Sequence, residues 1–174
     1  MTSSVADGFS IRHARPEDLE AYQALRLEAL KNHPNTFGQD YDEALLKDHE
    51  YWEKTLTINP KEKALFLPTK DTHLIGMAGI YRNLSKKSRH GATIWGVYVR
   101  PNFRGKGISE TLVHACLEWA KEQQIIIVKL VVVTNNLPAV RCYERCGFTL
   151  YGTEPKAIFQ GVSYYDEYLM SVEL

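Results

Sequence analysis

The sequence predicts a mixed α/β fold, and three features of the chain support this prediction. A run of aromatic and β-branched residues at 94–99 predicts a strand, which passes through a glycine-rich basic loop into an amphipathic helix. A second apolar run at 125–133 is followed by a short helix and a further strand at 148–151. The N-terminal half adds helices and strands of its own. Together these elements predict an α/β domain of about six or seven strands.

The first half of the chain predicts one strand, two helices and two further strands, in that order. Residues 9–14 alternate between apolar and polar side chains and therefore predict a strand. Pro16 begins a helix, because proline is tolerated in a first turn and the acidic residues after it suit the positive end of the helix dipole. Apolar residues recur at helical spacing over 41–56. Strands are predicted at 64–67 and 73–81, joined by a polar turn.

The basic loop at 104–109 predicts an anion site. Pro101 ends the preceding strand, and the glycines permit close approach of a ligand to the backbone. Free N–H groups at the N-terminus of the following helix suit a pyrophosphate. The dinucleotide fingerprint is excluded because Glu110 stands where a third glycine is needed, and no Gly-Lys-Ser/Thr closes a Walker loop. A tight turn with a solvated basic rim is the alternative for the loop alone.

The second half of the chain predicts a central strand and a short helix. The nearly unbroken β-branched run at 125–133 is typical of a strand that is buried on both faces. Asn136 is the predicted N-cap of the next helix, which ends at Gly147. Tyr143 lies on this helix, where it is either a core aromatic or a proton donor.

Two motifs carry a resemblance to a known family: Arg104-x-x-Gly107-x-Ser109 and Asn136-x-x-Ala139-x-x-x-Tyr143-x-x-x-Gly147-Phe148. In composition and spacing they resemble the GCN5-related N-acetyltransferase (GNAT) superfamily. The resemblance implies a mixed, mostly antiparallel sheet of six to seven strands, flanked by about four helices. That sheet splays between the strand before the glycine loop and the next strand. Ser109 departs from the usual Gly or Ala, but serine is small enough for the phosphate site to remain.

The resemblance also implies acetyl-CoA as co-substrate. In that family the glycine loop holds the pyrophosphate, the preceding strand offers backbone groups to the pantetheine arm, and the Asn and Tyr positions lie beside pantetheine and sulfur. The implied cofactor-binding residues are Val97, Tyr98, Val99, Arg104, Gly105, Lys106, Gly107, Ile108, Ser109, Asn136, Ala139 and Tyr143.

The implied reaction is acetyl transfer to a primary amine of a small molecule or peptide, by direct attack in a ternary complex. Tyr143 is the expected general acid, since a phenol can protonate a leaving thiolate, and the N–H of Val97 or Tyr98 would face the oxyanion. Thr93 stands where many family members carry a basic Glu, so the general base is open between a water chain and three carboxylates. These are Glu28, Asp166 and Glu167, and for the last two a solvated sheet edge is the preferred interpretation.

The acceptor side is expected in the N-terminal half, because the first two helices of the family and their loop commonly wall it. The candidate substrate contacts are Glu28, Phe37, Tyr41 and Trp52, with core packing as the alternative for the aromatics. Polyamines, amino acids, antibiotics and protein N-termini all remain open. Two other functions also stay open: a non-catalytic acyl-CoA sensor or scaffold, and transfer of a longer acyl group.

Bulk properties agree with one cytoplasmic enzyme domain over 1–174, with 1–8 as a flexible tail. The chain has 21 basic and 21 acidic residues, so no nucleic-acid partner is implied. No apolar run approaches a membrane span. The three cysteines, Cys116, Cys142 and Cys146, are expected to be free thiols in a reducing compartment, and no metal site is expected. A homodimer is possible, since family members are frequently dimeric.

Overall fold

The computed structural model describes residues 8–56 and 59–174, and this part contains eight strands and five α-helices. Of the predicted tail at 1–8, only Gly8 lies within the described residues. The strands are β1 Ser10–His13, β2 Lys63–Lys70, β3 His73–Leu74, β4 Gly76–Arg82, β5 Gly91–Val99, β6 Ile127–Val133, β7 Thr149–Gln160 and β8 Ser163–Glu173. The helices are α1 Leu19–Asn32, α2 Tyr41–Leu45, α3 His49–Leu56, α4 Ile108–Glu122 and α5 Leu137–Arg145.

The strands form one mixed sheet in the order β1-β2-β4-β5-β6-β8-β7, with the short β3 paired to β2. All pairings are antiparallel except that of β5 with β6. The predicted class is confirmed, with one strand more than expected. The predicted strand at 73–81 divides at Ile75, because the N–H of Ile75 donates to Pro68 and its carbonyl accepts from Arg100. Those bonds take Ile75 out of the regular ladder.

The sheet splays between β5 and β6, as predicted. The two strands pair only where Gly91, Ala92 and Thr93 face residues 127–129, and they separate beyond Thr93. On its other side β5 carries a β-bulge, since the register with β4 shifts by one residue between Trp95 and Tyr98. Gly96 lies in this bulge with φ of 65°. A left-handed backbone here favours glycine, and bulges commonly redirect backbone groups next to functional sites.

Two predicted elements require correction. Strand β6 is not buried on both faces, because Lys129 and Val131 are exposed while the alternating Val128 and Leu130 are buried. A β-branched run does not distinguish one covered face from two.

The predicted helix at 41–56 is two helices, α2 and α3. The side chain of Asp48 accepts a hydrogen bond from the N–H of Tyr51, which starts a new helix instead of continuing the first.

The hydrophobic core lies on both faces of the sheet. One cluster packs α4 against the sheet, and the other packs α1 and α3 against it. The neighbouring residues Tyr98 and Val99 belong to different clusters, as expected for successive strand residues that point to opposite faces. Across the described ranges, none of the helices combines the length and apolarity required to span a membrane.

Candidate active site

A cavity of about 830 Å³ opens where β5 and β6 separate. Its walls are the bulged end of β5, the glycine loop with the first turn of α4, the loop after α1, the end of β6, and α5. All of the predicted cofactor-binding residues line it except Lys106. The ammonium of Lys106 instead lies 5.7 Å from the ring centre of Phe103. The structure therefore brings the two sequence motifs together around one cavity.

The glycine loop presents the N-terminus of α4 to this cavity. Gly105 and Gly107 have φ of 76° and 74°, a left-handed conformation that is strained for other residues. Gly107 is the N-cap, and no side chain caps the first turn. A Cβ atom built on either glycine would meet nothing within 4 Å, so the space in front of the loop is open. Uncapped N–H groups and the positive end of the helix dipole make this a favourable position for an anion.

Arg104 is turned toward the end of β5. Its Nε donates to the carbonyl of Val99 over 2.9 Å, and its Nη2 lies 3.0 Å from Nε2 of His33. Partial burial, with Arg104 nearby, lowers the pKa of His33. The His33 ring is therefore mainly neutral at pH 7, so Arg104 is the cation at this end of the cavity.

Tyr98 lines the cavity, and its hydroxyl is engaged with a residue that does not. That hydroxyl donates to Oε1 of Glu28 over 3.0 Å, and burial followed by the Glu28 hydrogen bond raises the pKa of Tyr98 to about 12. Glu28 also accepts from Nε and Nη2 of Arg100, at 3.1 and 2.8 Å. Of the predicted acceptor contacts, Glu28 thus forms an ion pair and does not line the cavity.

The other predicted acceptor contacts are divided between two cavities. Phe37 lines the main cavity. Trp52 is buried and lines a second cavity of about 590 Å³ beside α1 and α3. Tyr41 lines neither cavity, and its ring lies 5.8 Å from the ammonium of Lys31.

Helix α5 places Asn136 and Tyr143 in the cavity wall. Asn136 is the N-cap, as predicted, but its side chain makes no capping hydrogen bond. Tyr143 is 7% exposed and meets the ring of Phe148 edge-on at 6.1 Å. Burial, and to a lesser extent the neighbouring cysteines, raises the pKa of Tyr143 above its ordinary value of 10. The phenol therefore keeps its proton throughout the neutral range, as a proton donor requires.

Glu167 also lines the main cavity, contrary to the preferred interpretation as a solvated edge. It lies on β8, opposite Val133 of β6, and it is half-buried. Burial, and then the facing Glu154, raises its pKa. The neighbouring Asp166 is exposed and accepts a hydrogen bond from the N–H of Lys156 over 2.7 Å. Strand alternation separates these two carboxylates, and the sequence could not establish which of them faces inward.

Arg26 of α1 is a cavity residue that the sequence analysis missed. It is 6% exposed and lines both cavities. Its position four residues after Tyr22 and three before Ala29, both buried, is the signal that was available. This spacing alone does not predict burial of an arginine, because arginine is rarely buried without a partner.

Comparison with known proteins places these motifs in a family. The model described as "Acetyltransferase (GNAT) family" matches residues 22–148. A streptothricin acetyltransferase of Escherichia coli is 38% identical over 63 residues, which is 36% of this chain and 36% of that protein. The L-amino acid N-acetyltransferase AaaT of Escherichia coli K12 is 26% identical over 165 residues, covering 92% of this chain and 95% of that protein.

Solved structures share the fold. A GNAT-family acetyltransferase from Streptococcus pneumoniae superposes with a TM-score of 0.84 at 23% identity, covering 95% of this chain and 99% of that one. A phosphinothricin acetyltransferase from Sinorhizobium meliloti, solved with acetyl-CoA, has a TM-score of 0.81 at 18% identity, covering 96% and 89%. Together with the family match over most of the chain, these findings show that the protein belongs to the acetyltransferase (GNAT) family of acyltransferase enzymes.

Proposed function

We propose that this protein transfers the acetyl group of acetyl-CoA to a primary amine of a small molecule or peptide, by direct attack in a ternary complex. The observation that carries the proposal is the single cavity that joins the glycine loop, the bulged strand β5 and Tyr143. The amine nitrogen bonds to the thioester carbonyl carbon, and the carbon–sulfur bond breaks. The amine loses a proton to a base, and the departing thiolate gains one from an acid.

The residues present fit acetyl-CoA as the donor. The uncapped first turn of α4, behind Gly105 and Gly107, would hold the pyrophosphate by its N–H groups. The edge of β5 beyond Thr93 is free of β6, so its backbone would pair with the pantetheine arm. When bound, acetyl-CoA supplies the activated acyl carbon. The bulge at Gly96 breaks the regular ladder of β5, and the N–H of Val97 or Tyr98 would then face the negative charge that develops on the carbonyl oxygen.

Tyr143 is the proposed general acid. It lies in the same cavity wall as Asn136, and its raised pKa keeps the phenol protonated when the thiolate leaves. Direct attack by the amine is favoured over a covalent acetyl-enzyme formed on a cysteine. The thiol of α5 that lines the cavity belongs to Cys142, and its hydrogen bond to Cys146 and burial raise its pKa, so it keeps its proton at neutral pH. The pKa of Cys146 is lowered by the same hydrogen bond, but Cys146 does not line the cavity.

Glu167 is the proposed general base. It lines the cavity and its raised pKa makes the carboxylate more basic than an ordinary glutamate. The alternatives have other partners or positions: Glu28 is bound to Arg100, and Asp166 is exposed. Thr93, at the position of the family's frequent Glu, lies in the paired part of β5 and does not line the cavity.

The test is release of free CoA thiol from acetyl-CoA with a panel of primary amines, together with detection of the acetylated product by mass spectrometry. Amine-dependent thiol release with intersecting initial-velocity lines is the expected result for a ternary complex. Parallel lines, or an acetylated enzyme formed in the absence of amine, would contradict direct attack. Tight binding of acetyl-CoA without thiol release for any amine would favour the sensor function instead.

A further inference from the structure

We infer that the acceptor amine carries a carboxylate close to its amino group, and that Arg26 binds this carboxylate. The inference rests on the proposed function and adds the acceptor class, which that function leaves open. The acceptor is then a compact amino acid and not a polyamine or a lysine side chain.

Arg26 is a buried cation without a counter-ion. Its side chain belongs to α1 and only 6% of the residue is exposed. Its Nε and Nη2 donate to a neutral acceptor, Oε1 of Gln39, over 3.2 and 3.0 Å. It takes part in none of the ion pairs between residues of the described ranges. Burial of a charge without an ionic partner is costly, so such a group indicates a missing anion.

One nitrogen of this guanidinium remains unused. Nη1 of Arg26 is buried and has no hydrogen-bond partner in the described structure. It lies on the Gly96 side of the guanidinium, since a Cβ built on Gly96 would be 3.5 Å from it. Gly96 lies in the bulge of β5, at the point where the sheet splays. An anionic oxygen on Nη1 would therefore lie beside the part of β5 where acyl transfer is proposed.

The aromatic neighbours of Arg26 hold the guanidinium in this position. Its carbon Cζ lies 4.9 Å from the ring centre of Phe37 and 5.8 Å from that of Trp95. Because Nε and Nη2 also donate to Gln39, the guanidinium is held in place before a ligand binds. A preorganised donor binds an anion at a lower entropic cost than a mobile surface arginine does.

The surrounding charges also favour an anion. The ammonium of Lys63 lies 5.3 Å from the ring centre of Trp95, and burial lowers the pKa of Lys63. Lys47 and Glu43 line the rim of the second cavity and are both exposed. Arg26 is therefore the buried cation where the two cavities meet, whereas Glu167, a carboxylate of the main cavity, is only half-buried and lies on β8. A polyamine would bring further positive charge toward Arg26, whereas a carboxylate would neutralise it.

The position of Arg26 Nη1 beside the bulge of β5 restricts the acceptor further. Arg26 and Trp95 line both cavities, and Glu167 lines the main one. A carboxylate on Nη1 leaves the amino group of the same small molecule near the bulge only if the two groups are separated by few bonds. An α- or β-amino acid meets this condition, and its side chain would extend toward the aromatic wall formed by Phe37, Trp95 and Trp52.

The first experiment compares acceptors that differ only in the carboxylate. Leucine, leucinamide and isopentylamine are offered to the wild-type enzyme with acetyl-CoA, with spermidine as the cationic comparison. We expect kcat/KM for leucine to exceed that for leucinamide and isopentylamine by about 10–100-fold, the range of a charge-assisted hydrogen bond to a buried ion. Equal or higher values for the amide, the amine or spermidine would overturn the inference while leaving acetyl transfer intact.

The second experiment removes the cation. Arg26→Met should raise KM for leucine about 10–100-fold and change KM for isopentylamine by less than about threefold. Lys54→Met is the matched control: it removes an exposed cation from α3 that lines neither cavity, and it should change neither KM. Acetyl-CoA affinity of Arg26→Met, measured by calorimetry, verifies that the variant is folded. An equal loss for both acceptors in a folded variant would contradict carboxylate binding.

A binding measurement keeps the inference separate from the proposed function. N-acetylleucine and N-isopentylacetamide, the products of the matched pair, are titrated into the wild-type enzyme with CoA present, and binding is measured by isothermal titration calorimetry. Tighter binding of the carboxylate product, lost in Arg26→Met, supports the inference even if no amine releases thiol. Failure of thiol release with this preference intact would count against the proposed reaction only. No preference between the two products would count against the inference.

Discussion

Tyr143 is the proposed general acid, and its buried position bears directly on that role. Its phenol lies in the wall of the main cavity, and burial raises its pKa, so the group remains a hydrogen-bond donor at neutral pH. A phenylalanine has the same ring and lacks only the proton. The role of the hydroxyl can therefore be separated from the packing of the ring.

Tyr143→Phe should lower kcat by about ten- to a thousandfold, because the leaving thiolate loses its proton donor. The dissociation constant of acetyl-CoA should change little, since the ring contact with Phe148 is kept. Steady-state kinetics and calorimetry measure the two quantities. An unchanged kcat would remove Tyr143 from the mechanism.

Glu167→Gln should lower kcat/KM by about 10–100-fold at pH 7 and by less at high pH. A general base must be deprotonated, so the wild-type enzyme loses activity as the pH falls through the pKa of Glu167. Because burial raises this pKa, the loss should begin at a higher pH than for an ordinary glutamate. The difference in kcat/KM between the wild type and the glutamine variant should shrink as the pH approaches the pKa of the amine. The amine is then increasingly neutral in solution and needs no base.

The pH–rate profiles of both enzymes measure this effect. Asp166→Asn is the control, because this exposed neighbour does not line the cavity. A defect in Glu167→Gln that stays constant with pH would indicate that Glu167 only positions the acceptor.

Among the elements, the junction between β5 and α4 is the part on which the proposed binding of acetyl-CoA depends. The strand ends, the chain turns through Gly105 and Gly107, and α4 begins with its first turn uncapped. The same strand carries the bulge and separates from β6. Two departures from regular structure within one connection therefore provide both the proposed phosphate site and a free strand edge.

Gly107→Ala should weaken acetyl-CoA binding roughly tenfold, equivalent to about 1.4 kcal/mol, because its methyl group would occupy the open space in front of the helix. The left-handed φ of 74° adds a strain of about 1–2 kcal/mol, which corresponds to a melting temperature lower by about 2–8 °C.

Gly161→Ala separates these two effects. Gly161 has φ of 64°, also has open space around it, and lies in the turn between β7 and β8, away from the cavity. It should lose comparable stability and keep the acetyl-CoA affinity of the wild type. Calorimetry and thermal unfolding provide both readouts, and equal affinities in the two variants would argue against a phosphate site at Gly107.

At the scale of the molecule, α4 packs against one face of the sheet and α1 and α3 pack against the other, and the cavity lies at the splay between β5 and β6. The residues proposed to bind acetyl-CoA come mainly from the C-terminal half, whereas Arg26 and Phe37 of the same cavity come from the N-terminal half. Ligand binding across such a junction stabilises the folded state as a whole, because only the folded chain brings the two halves together.

Acetyl-CoA at about 100 times its dissociation constant should stabilise the protein by about 2.7 kcal/mol, which raises the melting temperature by about 5–10 °C for a chain of this size. Differential scanning fluorimetry measures the shift. Adenosine monophosphate is a suitable control, because it lacks the pyrophosphate and the pantetheine arm. The absence of a shift with acetyl-CoA would contradict a CoA site in this cavity.

The residues of the proposed cofactor site could be named from the sequence because two motifs of fixed local spacing resemble those of the GNAT family. Gly105 and Gly107 are needed for left-handed φ values, and Asn136 and Tyr143 keep a fixed spacing along one helix. The order of strands and helices predicted the fold class for the same reason. The division at Ile75 could not be predicted, since it depends on hydrogen bonds to Pro68 and Arg100 from distant parts of the chain.

The fold class, the family resemblance and the residues of the glycine loop and α5 could be read from the amino-acid order alone, because turn conformations and helical spacing are properties of neighbouring residues. The folded chain was needed to show that Glu28 is bound to Arg100, that Glu167 and not Asp166 lines the cavity, and that Arg26 is buried without an ion-pair partner among the described residues. The physical reason is that burial and charge pairing depend on which distant side chains meet, and periodicity along the chain does not specify those contacts.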